Sequence, residues 1–410
     1  MGSLVKTAKK LINISPGVKE FSIALYESVQ RRRYRGYTHR FPVERETVIF
    51  EAFLGNQYAC SPKALYEAMC SMEQYQSYKK VWMFRNPEAH RELLENPGTI
   101  LVKYGSAEYY EYYARAGVWI TNYRLAAGIE KRPEQIYVQT WHGTPLKKIG
   151  CDVESTGISK AQQKRTAAEY AREGQRADYL PSPSPFYSEK ITSAFRLGSQ
   201  ARILEYGYPR NDALLAPDNG RGAAIRKKLG IGTGKKVILY APTWRDNQHT
   251  AGEGYTYRLG IDFDALRRNL EEDCVILFRA HYLISTRFDF EKFGGFIRNV
   301  SDYDDINELY LAADMLITDY SSVFFDYANL ERPILFYMYD YEEYKHELRD
   351  FFFGTEECPG PVIQEERDIS RDIRELFRDF QVDETYRAFN NKYNPHREPC
   401  SARVLEEILG

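Results

Sequence analysis

Met315-Leu316-Ile317-Thr318-Asp319-Tyr320-Ser321-Ser322 begins as a buried strand and ends in a polar turn, and Val323 to Leu330 then reads as a helix. The same order of strand, turn and helix recurs around it. Lys236–Tyr240, Cys274–Arg279 and Pro333–Tyr337 are further strand candidates, with helical stretches at 262–271 and 305–313. An earlier series holds Thr47–Phe53, Val81–Arg85, Thr99–Lys103, Val118–Asn122, Gln135–Gln139, 178–184 and 202–206, with helices at 62–72 and 156–176. A polar, glycine-containing stretch from Ala216 to Gly234 separates the two series. Strands alternating with helices imply parallel sheets covered on both faces. At 410 residues the chain exceeds what one hydrophobic core usually supports. The expected class is α/β, with two Rossmann-like domains facing a central cleft. The expected divisions are 1–40, 41–215 and 216–410, the chain closing on polar helices.

In open α/β sheets, ligands bind beyond the carboxyl ends of the strands. Two of the seven histidines stand at such ends: His142 in Gln139-Thr140-Trp141-His142-Gly143-Thr144-Pro145, and His281 in Arg279-Ala280-His281-Tyr282. Histidine exchanges a proton near neutral pH, so both are candidates for catalysis. Gly143 allows close backbone approach, and Thr144-Pro145 imposes an extended turn. In Ala241-Pro242-Thr243-Trp244-Arg245, Thr243 lies in a third such turn and Arg245 is suited to grip a phosphate with two N–H groups. Asp319, Ser321 and Ser322 precede a helix, where they form either an anion site or an ordinary N-cap. Asp302-Tyr303-Asp304-Asp305 is either an acidic metal site or the cap of the next helix, and the cap is the plainer reading.

Several classes are excluded. A net charge of −2 gives no global reason to expect nucleic acid. The chain lacks the G-x-S-x-G elbow, the P-loop and the G-x-G-x-x-G fingerprint. Cys60, Cys70, Cys151, Cys274, Cys358 and Cys400 are scattered, which argues against zinc or a disulfide framework and fits a reducing compartment. No apolar run approaches the ~18 residues of a membrane span, and no signal-peptide pattern is present. Residues 1–37 are the local exception. They carry eight Lys or Arg against Glu20 and Glu27, an excess of +6. Leu4 to Ile12 and a second helix beginning at Ser15-Pro16 have apolar residues at helical spacing, with Val18, Phe21, Leu25 and Val29 on one stripe. Such helices either lie on an anionic membrane or pack on the main body as a hairpin.

The chain resembles the CDP-glycerol glycerophosphotransferase family of bacterial teichoic acid synthesis. The resemblance rests on Phe50-Glu51-Ala52-Phe53-Leu54-Gly55-Asn56-Gln57-Tyr58, Gln139 to Lys147, Tyr240 to Arg245, Arg279 to Tyr282, Ser301 to Tyr310 and Leu316 to Tyr327, in family order. It implies a GT-B-like fold, no metal and no cofactor, with the acceptor bound mainly by the first domain and the CDP-alcohol by the second. It also implies that His142 and His281 are essential, and that Arg245, His281, Ser321 and Ser322 contact the pyrophosphate. The short basic start looks most like the primase. That enzyme adds one glycerol phosphate to a lipid-pyrophosphate-linked disaccharide at the cytoplasmic face of the cell membrane, as a peripheral protein. A short poly(glycerol phosphate) or ribitol phosphate polymerase, and a GT-B nucleotide-sugar glycosyltransferase, are the alternatives. A homo-oligomer stays open.

Overall fold

The computed structural model describes residues 16–154, 159–243, 249–250, 254–255, 260–280, 288–342, 352 and 354–410. Arg245 and His281 lie outside these residues, as does the first basic helix, Leu4 to Ile12.

Two parallel sheets form the core. The first contains β1 (Glu44–Glu51), β2 (Lys79–Phe84), β3 (Thr99–Lys103), β4 (Ala116–Thr121), β5 (Ile136–Gln139), β6 (Tyr179–Pro181) and β7 (Arg202–Leu204). Their spatial order is β3-β2-β1-β4-β5-β6-β7. A hairpin of β9 (His249–Thr250) and β10 (Gly254–Tyr255) follows β8 (Lys236–Ala241). The second sheet joins β8 to β11 (Cys274–Phe278), β12 (Ile297–Asn299), β13 (Met315–Thr318), β14 (Ile334–Tyr337) and β15 (Val362–Ile363), in the order β12-β11-β8-β13-β14-β15. Both sheets reverse direction of winding once, between β1 and β4 in the first and between β8 and β13 in the second. This is the Rossmann arrangement, and each reversal opens a crevice at the strand ends.

The strands are apolar runs rather than alternating ones because helices cover both faces. Val48-Ile49-Phe50 and Val275-Ile276-Leu277 are buried at every position. Four short strands went unforeseen: β9, β10 and β15 have two residues each, and β12 has three, two of them Arg298 and Asn299. Helix Ala107–Arg115 was also missed, because its sequence AEYYEYYAR is rich in tyrosines, which favour strands. Ser106 nucleates it by accepting the Tyr109 N–H, and Tyr109 and Tyr113, one turn apart, are then buried together. Helices Pro185–Phe195 and Arg221–Lys228 are further additions.

The chain returns to its first half at the end. Helix Ser401–Leu409 lays Val404, Leu405 and Ile408 into the cluster that holds Val48, Phe50 and Trp82. At the other end, helix Pro16–Arg40 leads into the first sheet. One face packs on the body, where the Tyr34 hydroxyl donates to the Tyr113 carbonyl at 3.0 Å. Phe21, Leu25, Tyr26 and Val29 remain exposed.

Candidate active site

His142 follows β5, and the turns after β1 and β4 close around it. Its Nδ1 lies 2.7 Å from the Asn122 carbonyl oxygen, so that nitrogen carries the proton and Nε2 keeps a free lone pair. The Asn122 side chain in turn accepts the Phe53 N–H at 2.8 Å. The imidazole is flanked by Trp141 at 3.9 Å, Phe53 at 5.5 Å and Tyr123 at 5.8 Å between ring centroids. Burial pushes His142 down to about 4, helped by the Arg210 and Arg124 cations and opposed by the Asn122 carbonyl. The ring is therefore neutral at neutral pH, with Nε2 available as a base.

The backbone here is strained. Among the described residues, seven non-glycine residues have positive φ, and four of them are Phe53, Leu54, Cys60 and Trp141. The Cys60 thiol is 3.9 Å from the Trp141 carbonyl oxygen. Each left-handed non-glycine residue costs about 1–3 kcal/mol and persists only where its surroundings enforce it. Clustering at one histidine marks a built site.

The segment after His142 crosses to the second domain. Leu146 packs into the core cluster of that domain beside Tyr320 and Phe324. Gly143 passes close to the second domain on the way, since a Cβ there would stand 2.9 Å from Ser322 Oγ and that hydroxyl would have to turn aside. The close approach expected at Gly143 is thus to the opposite domain. Ser322 holds the N-cap position of helix Val323–Tyr327, yet its side chain makes no capping hydrogen bond. That helix has five residues before a 3-10 turn, so its dipole is small.

His142, Gly143, Thr144, Pro145, Thr243, Ser321 and Ser322 line one cleft of about 370 Å³ between the domains. Asp319 stands behind it, buried. Its Oδ1 accepts the N–H groups of Thr243 at 2.8 Å and Tyr320 at 2.6 Å, tying together the ends of β8 and β13 at the switch point. Its geometry is that of a turn-builder. Asp302 is exposed and does not line the cleft. Asp305 caps helix Ile306–Ala312 by accepting the Asn307 N–H at 3.0 Å, as the plainer reading of that acidic run expected. Among the described residues, no group of three His, Cys, Asp or Glu is arranged to hold a metal ion.

Sequence reading missed Asn122, Arg210 and Asp326. Asn122 ends a strand candidate just as His142 follows one, a signal that was available. Arg210, in the turn after β7, donates to the His142 carbonyl and to Asp326 Oδ2 at 2.6 Å. No local pattern distinguishes it. Lys63 adds a second bridge between the domains, 2.8 Å from both Asp305 and Glu308.

Two Rossmann-like domains closing on a shared cleft define a GT-B-like architecture. The chain belongs to the CDP-glycerol:poly(glycerophosphate) glycerophosphotransferase family, whose model matches residues 34–410. It is 36% identical over 372 residues to a teichoic acid poly(glycerol phosphate) polymerase of Bacillus spizizenii, covering 90% of this chain and 93% of that one. A teichoic acid glycerol-phosphate primase of Bacillus subtilis is 27% identical over 330 residues, 80% of each chain. The chain spans about half the length of other curated polymerases it matches. Among solved structures, a histidine-to-asparagine variant of the wall teichoic acid polymerase TagF soaked with CDPG superposes at a TM-score of 0.84, with 36% identity and 94% of each chain covered.

Proposed function

We propose that this protein transfers glycerol phosphate from CDP-glycerol to a hydroxyl of a membrane lipid-pyrophosphate-linked acceptor, releasing CMP. The observation that carries the reading is His142: its Nδ1 is committed to the Asn122 carbonyl, its Nε2 is free, and its loop meets Ser322 across the cleft. The soaked TagF structure supports CDP-glycerol as donor. In the proposed reaction the acceptor hydroxyl attacks the β-phosphorus of CDP-glycerol and gives its proton to His142 Nε2. The bond from that phosphorus to the CMP oxygen breaks, and CMP leaves. Ser321 and Ser322 hold the phosphates, with Thr243 at their side, and Arg245 and His281 stabilise charge on the departing CMP. Bound phosphates would raise the His142 pKa from its depressed value towards the range where a base works best.

Addition of a single unit was the first expectation from the short basic start. The relatives include a polymerase at 36%, a glycerol-phosphate transferase of Staphylococcus aureus at 38% and a primase at 27% identity, so the number of units added is what the test below reads. The protein acts at the membrane surface in this reading. The reading draws on helix Pro16–Arg40, which leaves four apolar side chains exposed beside Arg32, Arg33 and Arg35, although its apolar residues are not gathered on one face along the whole length. Among the described residues, no helix is long and apolar enough to cross a membrane.

The test is the mass of products formed from CDP-glycerol and a soluble lipid-pyrophosphate disaccharide analogue, with CMP release followed in parallel. A ladder of additions establishes a polymerase and one addition a primase. CMP release no greater than that of His142→Ala overturns the reading.

A further inference from the structure

Gln139 is the last residue of β5 and stands in register with Thr121, the last residue of β4. Its side chain is fully buried. A buried amide is costly unless its donors and its acceptor are all matched. Here they are. Nε2 donates to the Tyr123 carbonyl at 3.0 Å and to the Tyr137 hydroxyl at 2.8 Å, while Oε1 accepts the Trp141 N–H at 2.8 Å. The orientation of the amide follows from its backbone partners, since a carbonyl only accepts and an N–H only donates. The Tyr137 hydroxyl donates onward to Glu173 Oε2 at 3.1 Å, which leaves its lone pairs to the amide.

The two backbone groups belong to the two turns that hold the histidine. Tyr123 follows Asn122, whose carbonyl oxygen is the partner of His142 Nδ1, and the Tyr123 ring is stacked on the imidazole at 5.8 Å and 21°. Trp141 precedes His142 and is in the left-handed conformation, with φ of 50°. A residue held there needs its surroundings to enforce it. Gln139 takes its N–H, and Thr140 Oγ1 donates to its carbonyl at 3.1 Å. One planar amide therefore spans from the turn after β4 to the turn after β5, and sets the spacing between the Asn122 carbonyl and the ring it orients. The Thr121 hydroxyl also donates to the Tyr123 carbonyl at 2.9 Å, so the Trp141 N–H loses most when the amide is removed.

We infer, on the transfer reading above, that Gln139 is a positioning residue. By tying the Tyr123 carbonyl to the Trp141 N–H it keeps His142 Nδ1 on the Asn122 carbonyl, and so keeps the Nε2 lone pair free for the acceptor hydroxyl. It acts through His142 and not through a contact with substrate.

The test pairs two variants of the full chain. Gln139→Met keeps the length of the side chain and removes its hydrogen bonds. Gln139→Asn keeps a donor and an acceptor but falls one methylene short of spanning both turns. Each is expected to lower kcat about 10- to 10²-fold, the cost of a misplaced reacting group, with the Kd for CDP-glycerol within about twofold of the wild-type value. The ring itself is read without turnover, at neutral pH, from the nitrogen NMR shifts of His142, identified by their loss in His142→Gln. Wild-type protein should show the tautomer protonated at Nδ1, and both variants a mixture of the two. A kcat within about twofold of wild type, or an unchanged tautomer in variants that bind CDP-glycerol, overturns the inference. So does loss of CDP-glycerol binding in step with kcat in both variants, which would make Gln139 a residue of the fold alone. Wild-type protein that releases no CMP from CDP-glycerol strikes the transfer reading instead, and the tautomer still decides the role of Gln139 at the ring.

Discussion

Arg210 Nη2 lies 2.6 Å from Asp326 Oδ2, with both side chains buried at the junction of the two domains. Another nitrogen of the same guanidinium donates to the His142 carbonyl. Asp326 belongs to the helix that Ser322 begins, so one ion pair fixes the proposed base relative to the proposed phosphate ligands. Removing one member leaves a buried charge unpaired, which costs about 3–5 kcal/mol. Asp326→Asn should lower urea stability by that order. Arg210→Lys keeps the charge but loses the planar fork, and is expected to reduce kcat more than it changes CDP-glycerol affinity. An unchanged kcat in a folded Arg210→Lys protein would remove the positioning role.

Histidine-142 can be tested by pH as well as by deletion. His142→Ala should lower kcat by about 10²- to 10⁴-fold, the usual contribution of a positioned base, with CDP-glycerol affinity nearly unchanged. Its free-enzyme pKa of about 4 puts the acid limb of kcat/KM well below the ordinary histidine value of 6.5. The sign for stability follows. A histidine depressed in the fold gives stability that is present above pH 6.5 and is lost as pH falls towards 4. An acid limb of kcat/KM centred near 6.5 that vanished in His142→Gln would contradict the depressed value.

Gly143 and Ser322 should behave as one unit. The Cβ of Gly143→Ala would meet Ser322 Oγ at 2.9 Å, and that hydroxyl can rotate away. The substitution is therefore expected to cost under about 1 kcal/mol of stability. Its effect is to displace a proposed phosphate ligand, so the KM for CDP-glycerol should rise as it should in Ser322→Ala. The double variant should be no worse than either single one, the signature of a shared interaction. Additive losses would separate the two residues.

This pairing also shows where sequence reading stops. Strand ends were legible because β-strands buried on both faces are continuous apolar runs, and the polar turns after β5, β8 and β13 stood out against them. Thr99–Lys103 and Met315–Thr318 were placed to the residue. A close backbone approach at the glycine after His142 was also legible, but its partner was not. Ser322, like Asp326 opposite Arg210, lies far along the chain, and only the docking of two separate sheets brings such residues together. Short edge strands and a tyrosine-rich helix gave local signals that pointed the wrong way or gave none.

Glu51, at the end of β1, offers a test of the first domain's core. Burial raises its carboxyl to about 7, opposed by hydrogen bonds from Tyr113 and Tyr109 and by Arg85. A carboxyl raised in the fold gives stability that is fully present below about pH 4.5 and lost as pH rises through 7. Glu51→Gln should therefore be close to neutral at pH 5 and stabilising at pH 8, by at most on the order of 3 kcal/mol. Equal effects at both pH values would show that Glu51 is ionised throughout.

The proposed membrane attachment calls for substitutions rather than truncation. Deleting residues 1–37 would remove Tyr34, which is buried against the first domain and donates to Tyr113, so lost binding could not be told from a damaged core. Phe21, Leu25 and Val29 project from the opposite, exposed side. Burying three such side chains in the headgroup layer is worth several kcal/mol at about 1.5–3 kcal/mol each when fully buried. Phe21→Ser, Leu25→Ser and Val29→Ser combined should therefore weaken binding to phosphatidylglycerol liposomes at least tenfold while sparing CDP-glycerol binding. Raised salt should weaken the wild-type protein further, because the neighbouring arginines act through a screened field. Liposome affinity that ignores both the triple substitution and salt would place the attachment elsewhere in the chain.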